Sequence, residues 1–369
     1  MTCMGLVREP GAPAPYQQIQ RILREEILAG KGAGDRIAPE RELAKRFGAN
    51  RATVSRAIGW LVKEGLLIRR VGRGTFVSGG GEGPARARTS TVGLVMPYIS
   101  GVFPSRIIRS AVRSLKERRY KTVLFDSEDS VMAEADELER LAQGGLDGAL
   151  IMPVEKPDNI SVFAGLLRFG LPLVFLDRKP LGLEGDLVGS DNFRGAYDAT
   201  SRLIERGHRR IAHFTWLVER TCTSIEQRRR GYEQALIDHG IEVDPELMCP
   251  PASFPDESLY FKYTLAYLRR DDRPVTAVFC LHDQFVLRTI DAASALGLRI
   301  PDDIEVAGYF DESFHPLDDV AVLKVIQGQD QIGELAAGLL ISRIEGGGPD
   351  GYQEITVVPE IVDPLSGSR

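Results

Sequence analysis

Thirty-eight residues, Glu40 to Val77, restrict the possible folds of this chain more than any other stretch. Asn50 is a good helix N-cap, because its side-chain oxygen can accept a bond from the open backbone N–H groups of the following turn. After it, Val54, Ile58 and Leu61 recur at helical spacing and should face a core. Arg51, Ala52, Thr53, Ser55 and Arg56 are left on the outer face near the helix start. Before it, Leu43, Ala44 and Phe47 mark a short helix, with Gly48-Ala49 as the turn between the two. Leu66–Arg70 and Thr75–Ser78 read as short strands around Val71-Gly72-Arg73-Gly74, a hairpin pattern. Helix, tight turn, helix and basic hairpin describe a winged helix-turn-helix, whose second helix enters a DNA major groove.

Each piece alone has an ordinary explanation, a solvated helix face or a plain hairpin; their order and spacing together do not. Charge agrees. From Tyr16 to Ser78 there are thirteen Lys/Arg and six Asp/Glu, a net +7, which leaves −13 on the rest of a chain whose total is −6. A basic head suits phosphate contacts, and an acidic body discourages non-specific wrapping of DNA. The expected DNA contacts are Arg41, Asn50, Arg51, Thr53, Ser55 and Arg56, with Gly72, Arg73 and Gly74 in the wing. Lys and Arg supply phosphate affinity, while Arg and Ser/Thr at base edges supply sequence preference.

The four cysteines, Cys3, Cys222, Cys249 and Cys280, are far apart and form no CxxC pair, so neither a disulfide framework nor a zinc site is expected. Met1–Pro15 has no apolar core of a secretory signal and no run approaches membrane-spanning length, which makes the cytoplasm the default. No cofactor is implied.

Residues 1–15 read as a disordered lead and Tyr16–Ala29 as an amphipathic helix with Ile19, Leu23 and Ile27 on one face. The winged unit then covers 16–78, and the glycine-rich 79–90 is a flexible linker. From Thr91 short apolar runs alternate with helical stretches. The strands are Val92–Met96, Thr122–Phe125, Gly148–Met152, Leu173–Leu176, Leu187–Gly189, Ile211–Phe214, Ala277–Phe279 and Glu305–Gly308. This α/β alternation implies doubly wound parallel sheets that bind ligands outside the carboxyl ends of their strands. Residues 91–369 are many for one such sheet, so two lobes with a cleft are expected.

Two resemblances sharpen this. Tyr16, Ile19, Arg24, Ile27, Gly30, Gly34, Glu40–Leu43, Phe47-Gly48, Arg51, Thr53-Val54, Leu61, Glu64–Leu66 and Gly72–Val77 resemble the DNA-binding domain of the GntR family of bacterial regulators. Ala38-Pro39 departs from that pattern by removing the usual cap of the first motif helix, and Ser55 stands where the family often has Arg. Val188–Phe214, with Val92–Phe103, Gly145–Pro153, Gln227–Leu236, Cys280–Asp311 and Val325–Leu340, resembles the effector domain of LacI/GalR-type regulators, which share the periplasmic-binding-protein fold. A GntR-type head on a LacI-type body is similar to arabinose-responsive repressors of the AraR kind.

Sugar-type ligands require planar hydrogen-bonders for adjacent hydroxyls and aromatic faces for ring C–H groups. The LacI resemblance places them at Arg228, three residues before Gly231-Tyr232, and at Asp283 after a strand. It also implies Tyr98, Ser100 and Phe103 after the first strand, Asp126 and Ser127 after the second, Asp177 and Arg178 after the fourth, then Trp216, Phe254 and Gln327 or Gln329. Asp283 can equally cap the helix from Gln284, and Asp191-Asn192 can be a structural cap. His208 and His213 read as surface and core residues, not metal ligands. His282 and Phe310 replace an Asn and an Asp usual in the family, so ligand identity does not carry over.

The expectation is a homodimeric repressor of sugar or related metabolite genes on palindromic operator DNA, with a small-molecule effector in the cleft, no membrane partner and no enzymatic activity. The alternative is a sugar-binding solute protein without a DNA role.

Overall fold

A computed structural model of the chain describes residues 14–30, 34–63, 66–70, 73–78, 88–142, 145–155, 159–168, 170–215, 222–249, 257–269, 274–310 and 320–366. Most of the expected lead and linker therefore lies outside the described residues.

The head comprises α1 (Pro15–Gly30), α2 (Glu40–Phe47), α3 (Arg51–Lys63), β1 (Leu67–Arg70) and β2 (Gly74–Val77). As its sequence implies, Pro39 gives α2 no side-chain cap, while Gly48 closes the helix in the left-handed region at φ 58°. Asn50 starts α3: its Oδ1 accepts the Thr53 N–H at 2.7 Å and the Thr53 hydroxyl at 2.8 Å. Val54, Ala57, Ile58 and Leu61 are fully buried against Ile19, Leu23 and Ile27 of α1. Burying each of the larger side chains contributes about 1.5–3 kcal/mol, enough for a small head to hold a fixed reading surface. β1 and β2 pair antiparallel, with Leu67 opposite Val77.

Among the described residues the body has two six-stranded sheets. The first lobe is built from β3 (Thr91–Met96), β4 (Lys121–Asp126), β5 (Ala149–Ile151), β6 (Leu173–Leu176) and β7 (Asp186–Ser190), flanked by α4 (Val102–Glu117), α5 (Val131–Ala142) and α6 (Ile160–Arg168). The second contains β8 (Ile211–Phe214), β9 (Met248–Cys249), β10 (Ala277–Cys280), β11 (Glu305–Tyr309) and β12 (Val322–Ile326). Its helices are α7 (Asn192–Glu205), α8 (Thr223–Asp238), α9 (Glu257–Leu268) and α10 (Asp283–Ala295). Helix α11 (Gln329–Glu345) then returns to pack on α4, β13 (Glu354–Val357) pairs parallel with β7, and β14 (Glu360–Val362) pairs antiparallel with β12.

The strand orders are β13-β7-β6-β5-β3-β4 and β14-β12-β11-β10-β8-β9. The chain therefore passes between lobes after β7, after β12 and after β13. Alternation read from the sequence ended at Gly308, and the last three strands were not anticipated. Two of them are short pieces that follow a lobe crossing, where periodicity has too few residues to register.

Head and body touch. Helix α1 lies against α6, and the buried Arg24 donates to Glu139 of α5 at 2.7 Å.

Candidate functional site

On the head, Arg41, Arg51 and Arg56 are exposed and Thr53 and Ser55 half-buried. Local contacts fix several of them. Arg51 Nε donates to Glu40 at 3.2 Å, and the Arg56 guanidinium lies 4.1 Å from the centre of the Tyr16 ring. Ser55 Oγ accepts from Arg69 of β1 at 3.2 Å, a wing residue that sequence reasoning counted only as charge. Asn50 commits its side-chain oxygen to the cap. In the wing, Arg73 is exposed at the turn, and Gly74 sits at φ 114°. A Cβ at Gly74 would come within 2.8 Å of Arg36 Nε, the far end of an exposed and flexible side chain, so it is the positive-φ backbone that calls for glycine here, whatever it contacts beyond. Gly72 lies outside the described residues.

Between the lobes a cavity of about 510 Å³ opens at the carboxyl ends of the strands, within the usual range for small-molecule sites. Tyr98, Ser100 and Phe103 enter it after β3, Asp177 and Arg178 after β6, Arg228 from α8, Asp283 after β10 and Gln327 after β12. Asp129, Glu155, Gln284, Tyr309 and Phe310 also line it.

Arg228 turns inward from a basic run whose neighbour Arg229 pairs with Glu226 at 2.8 Å on the outside. Its Nε donates to Asn192 Oδ1 at 2.7 Å, Nη1 to the Leu281 carbonyl at 2.6 Å and Nη2 to Gln327 Oε1 at 2.7 Å. The guanidinium lies 3.6 Å over the Tyr309 ring. Each terminal nitrogen keeps a second N–H, so one arginine ties three segments of the second lobe and still has donors to offer. Asn192 is thus a support for Arg228, and Asp191 caps α7 by accepting from the Arg194 N–H at 3.0 Å.

Asp177 and Arg178 form the most exacting pair. Asp177 is non-glycine at φ 63°, a strained conformation that clusters at ligand clamps. Its Oδ2 accepts from Arg178 Nη1 at 3.0 Å, and Arg178 Nε donates to the Pro153 carbonyl at 2.9 Å. Both side chains are nearly fully buried, yet Asp177 Oδ1 and Arg178 Nη2 have no partner among the described residues. Unpaired buried polar atoms are unfavourable by about 1–3 kcal/mol each, so this acceptor–donor pair at the cavity wall has unmet hydrogen-bonding capacity. Burial pulls the Arg178 guanidinium down, but Glu155, Cys222 and Asp177 outweigh it and the net direction is up. Burial pushes the Tyr98 hydroxyl up to about 12, which keeps it a proton donor. Asp283 is raised by burial but more strongly lowered by His282 and the Gln284 N–H, and remains ionised.

Three sequence expectations change. Asp126 does not line the cavity: it ends β4 and accepts the Glu128 N–H at 3.0 Å, a turn-forming bond. Ser127 is buried beside it, donating to the Met96 carbonyl at 3.2 Å. Asp283 is the first residue of α10 rather than its N-cap, which is His282, and it accepts the Gln284 N–H at 2.8 Å. Trp216 and Phe254 lie outside the described residues. Glu155 and Asp129 were missed, although the strand-end rule that selected Asp177 applies to both.

His213 is a core residue stacked on Tyr232 and Phe279, with ring centres 5.0 and 5.1 Å away, and burial lowers it to about 4. His208 contacts Glu305 at 2.9 Å. Among the described residues no cluster of three or more His, Cys, Asp or Glu could hold a metal ion, and no helix is long and apolar enough to cross a membrane.

Comparison with known proteins agrees with both halves. Residues 15–77 match bacterial regulatory proteins of the gntR family, and residues 200–364 match a periplasmic binding protein-like domain. The chain is 29% identical over 353 residues to the arabinose metabolism transcriptional repressor of Geobacillus stearothermophilus, covering 94% of this chain and 96% of that protein. It is 32% identical over 279 residues to the HTH-type transcriptional repressor PurR of Erwinia tasmaniensis, covering 75% of this chain and 80% of that one. A solved structure of the transcriptional regulator CelR in complex with cellobiose superposes with a TM-score of 0.67 at 26% identity, covering 95% of this chain and 98% of that one. These relatives are transcriptional regulators.

Proposed function

This chain belongs to the ligand-responsive, DNA-binding transcriptional repressors that include PurR and the arabinose repressors, with a GntR-type head on a LacI-type body, and we propose that its effector is an uncharged sugar. The observation that carries this reading is the buried Asp177–Arg178 pair, which offers one acceptor and one donor side by side. Adjacent hydroxyls, each able to give and take a proton, satisfy such a pair; a phosphate or carboxylate satisfies only the donor. Charge supports the same choice. Asp129, Glu155, Asp177 and Asp283 line the cavity against Arg178 and Arg228, an excess of acid that repels anions. Tyr98, Phe103, Tyr309 and Phe310 supply faces for ring C–H groups. Arabinose and cellobiose, in the names of two of the proteins compared, are neutral sugars.

In this reading residues 16–78 bind operator DNA, 79–90 tether the head, and 91–369 bind the effector and pair the chains. Arg41, Arg51, Thr53 and Ser55 are the helix-borne contacts, with Arg73 in the wing. A homodimer on a palindrome follows from the small surface of one head. Edge strand β4, with Val123 and Leu124 exposed, is a face for the second copy. The protein acts in the cytoplasm, where its DNA is, and has no catalytic role. Ligand closure repositions α5 and α6, whose approaches carry Asp129 and Glu155, and the Arg24–Glu139 contact passes that movement to α1. A thermal-shift screen of neutral monosaccharides and disaccharides against sugar phosphates and purine bases tests the effector class. Stabilisation by a neutral sugar alone is expected; stabilisation by a phosphorylated sugar or a purine alone would overturn it.

A further inference from the structure

An acidic residue sits among the arginines of α3 and the wing. Glu40, the first residue of α2, is 21% exposed in its side chain, and each of its carboxylate oxygens takes a different arginine. Oε2 accepts from Arg51 of α3 at 3.2 Å, and Oε1 accepts from Arg69 of β1 at 3.1 Å. The same Arg69 nitrogen lies 3.2 Å from both the carbonyl and the hydroxyl oxygen of Ser55, on the outer face of α3. Arg69 is half-exposed, so its guanidinium lies beside the reading helix although it is carried by the wing.

A carboxylate facing phosphates opposes binding to any duplex. Reading a guanine edge, by contrast, needs a guanidinium fork held in the plane of the base, which a free arginine does not maintain. We propose that Glu40 is a positioning residue that orients Arg51 and Arg69 together, and that Arg69 is a base-reading residue of this head. The inference rests on the DNA-binding reading above. Glu40 thereby lowers affinity for DNA in general and raises discrimination for the operator, two effects of opposite sign.

The test uses the full-length protein, a duplex that the wild type selects from a randomised library, and a scrambled duplex of the same composition. Glu40→Gln is expected to bind the scrambled duplex as well as or better than wild type, and the selected duplex about tenfold more weakly. Arg69→Lys, which keeps the charge and loses the fork, is expected to lose similar discrimination with an unchanged dependence on salt. Parallel tightening on both duplexes by Glu40→Gln would overturn the proposal, since the acid would then be a charge penalty alone. So would parallel weakening with a lower melting temperature, which marks a structural acid, or full discrimination by Arg69→Lys. Failure of the wild type to select any duplex would instead overturn the DNA-binding reading itself.

Discussion

Arg24 of the DNA-binding head and Glu139 of the effector body form an ion pair of 2.7 Å in which the arginine side chain is only 2% exposed. Arg21 extends the contact, lying 3.8 Å from the same carboxylate. A signal between the two sites needs a physical route, and residues 79–87 of the tether lie outside the described residues. A buried charged contact can transmit it, since moving the Glu139 carboxylate away takes a favourable partner from a guanidinium that is only 2% exposed.

Glu139→Gln should therefore uncouple the two sites. Operator affinity without effector is predicted to stay within about threefold of wild type, while the effector-dependent change, normally about 5–150-fold, falls towards unity. Gel-shift titration with and without sugar measures both. A full effector response in this variant would remove the contact from the signalling route.

Gly189 lies beside the strained Asp177. A Cβ at this glycine would come 2.7 Å from the Asp177 carbonyl oxygen, closer than atoms pack. Gly189→Ala is predicted to shift the Asp177–Arg178 pair and weaken sugar binding at least tenfold, about 1.4 kcal/mol, with DNA binding intact. Calorimetric titration checks it; unchanged sugar affinity would take the pair out of the binding site.

Replacing Arg228 by Ala leaves Asn192, the Leu281 carbonyl and Gln327 without their buried donor. Each orphaned acceptor is unfavourable by about 1–3 kcal/mol, so a melting temperature several degrees lower is expected along with lost induction. Operator binding should persist. Normal induction by sugar in this variant would refute the assigned role.

His213 makes stability depend on pH. Its folded value is about 4 against an ordinary 6.5, so between those values the unfolded chain binds the extra proton. The neutral ring's contribution is whole above about pH 6.5 and fades as pH falls towards 4, a loss on the order of 3 kcal/mol. His213→Gln should flatten the fall of melting temperature across that window. An unchanged acid limb would assign the loss to other groups.

Local chemistry was legible in the sequence and long-range partnership was not. The Asn50 and Asp191 caps could be read because donor and acceptor lie three residues apart. Arg228 could be selected by pattern, yet its partners at 192, 281 and 327 meet only in the fold, so its task of tying segments together was invisible. Asp126 shows the opposite error: a carboxylate at a strand end was assigned to the cleft, but the next turn uses it. Arg69 was hidden because strand alternation says which face a side chain takes and not which helix lies beside that face.

The central claim is that a sugar in the cleft changes how tightly the head holds DNA. The most direct measurement is the affinity of the full-length protein for its selected duplex, by fluorescence anisotropy, with and without the neutral sugar that raises its melting temperature. The account predicts a shift of about fivefold or more in the wild type and none in Arg228→Ala. A sugar that stabilises the protein and leaves wild-type operator affinity unchanged would contradict it.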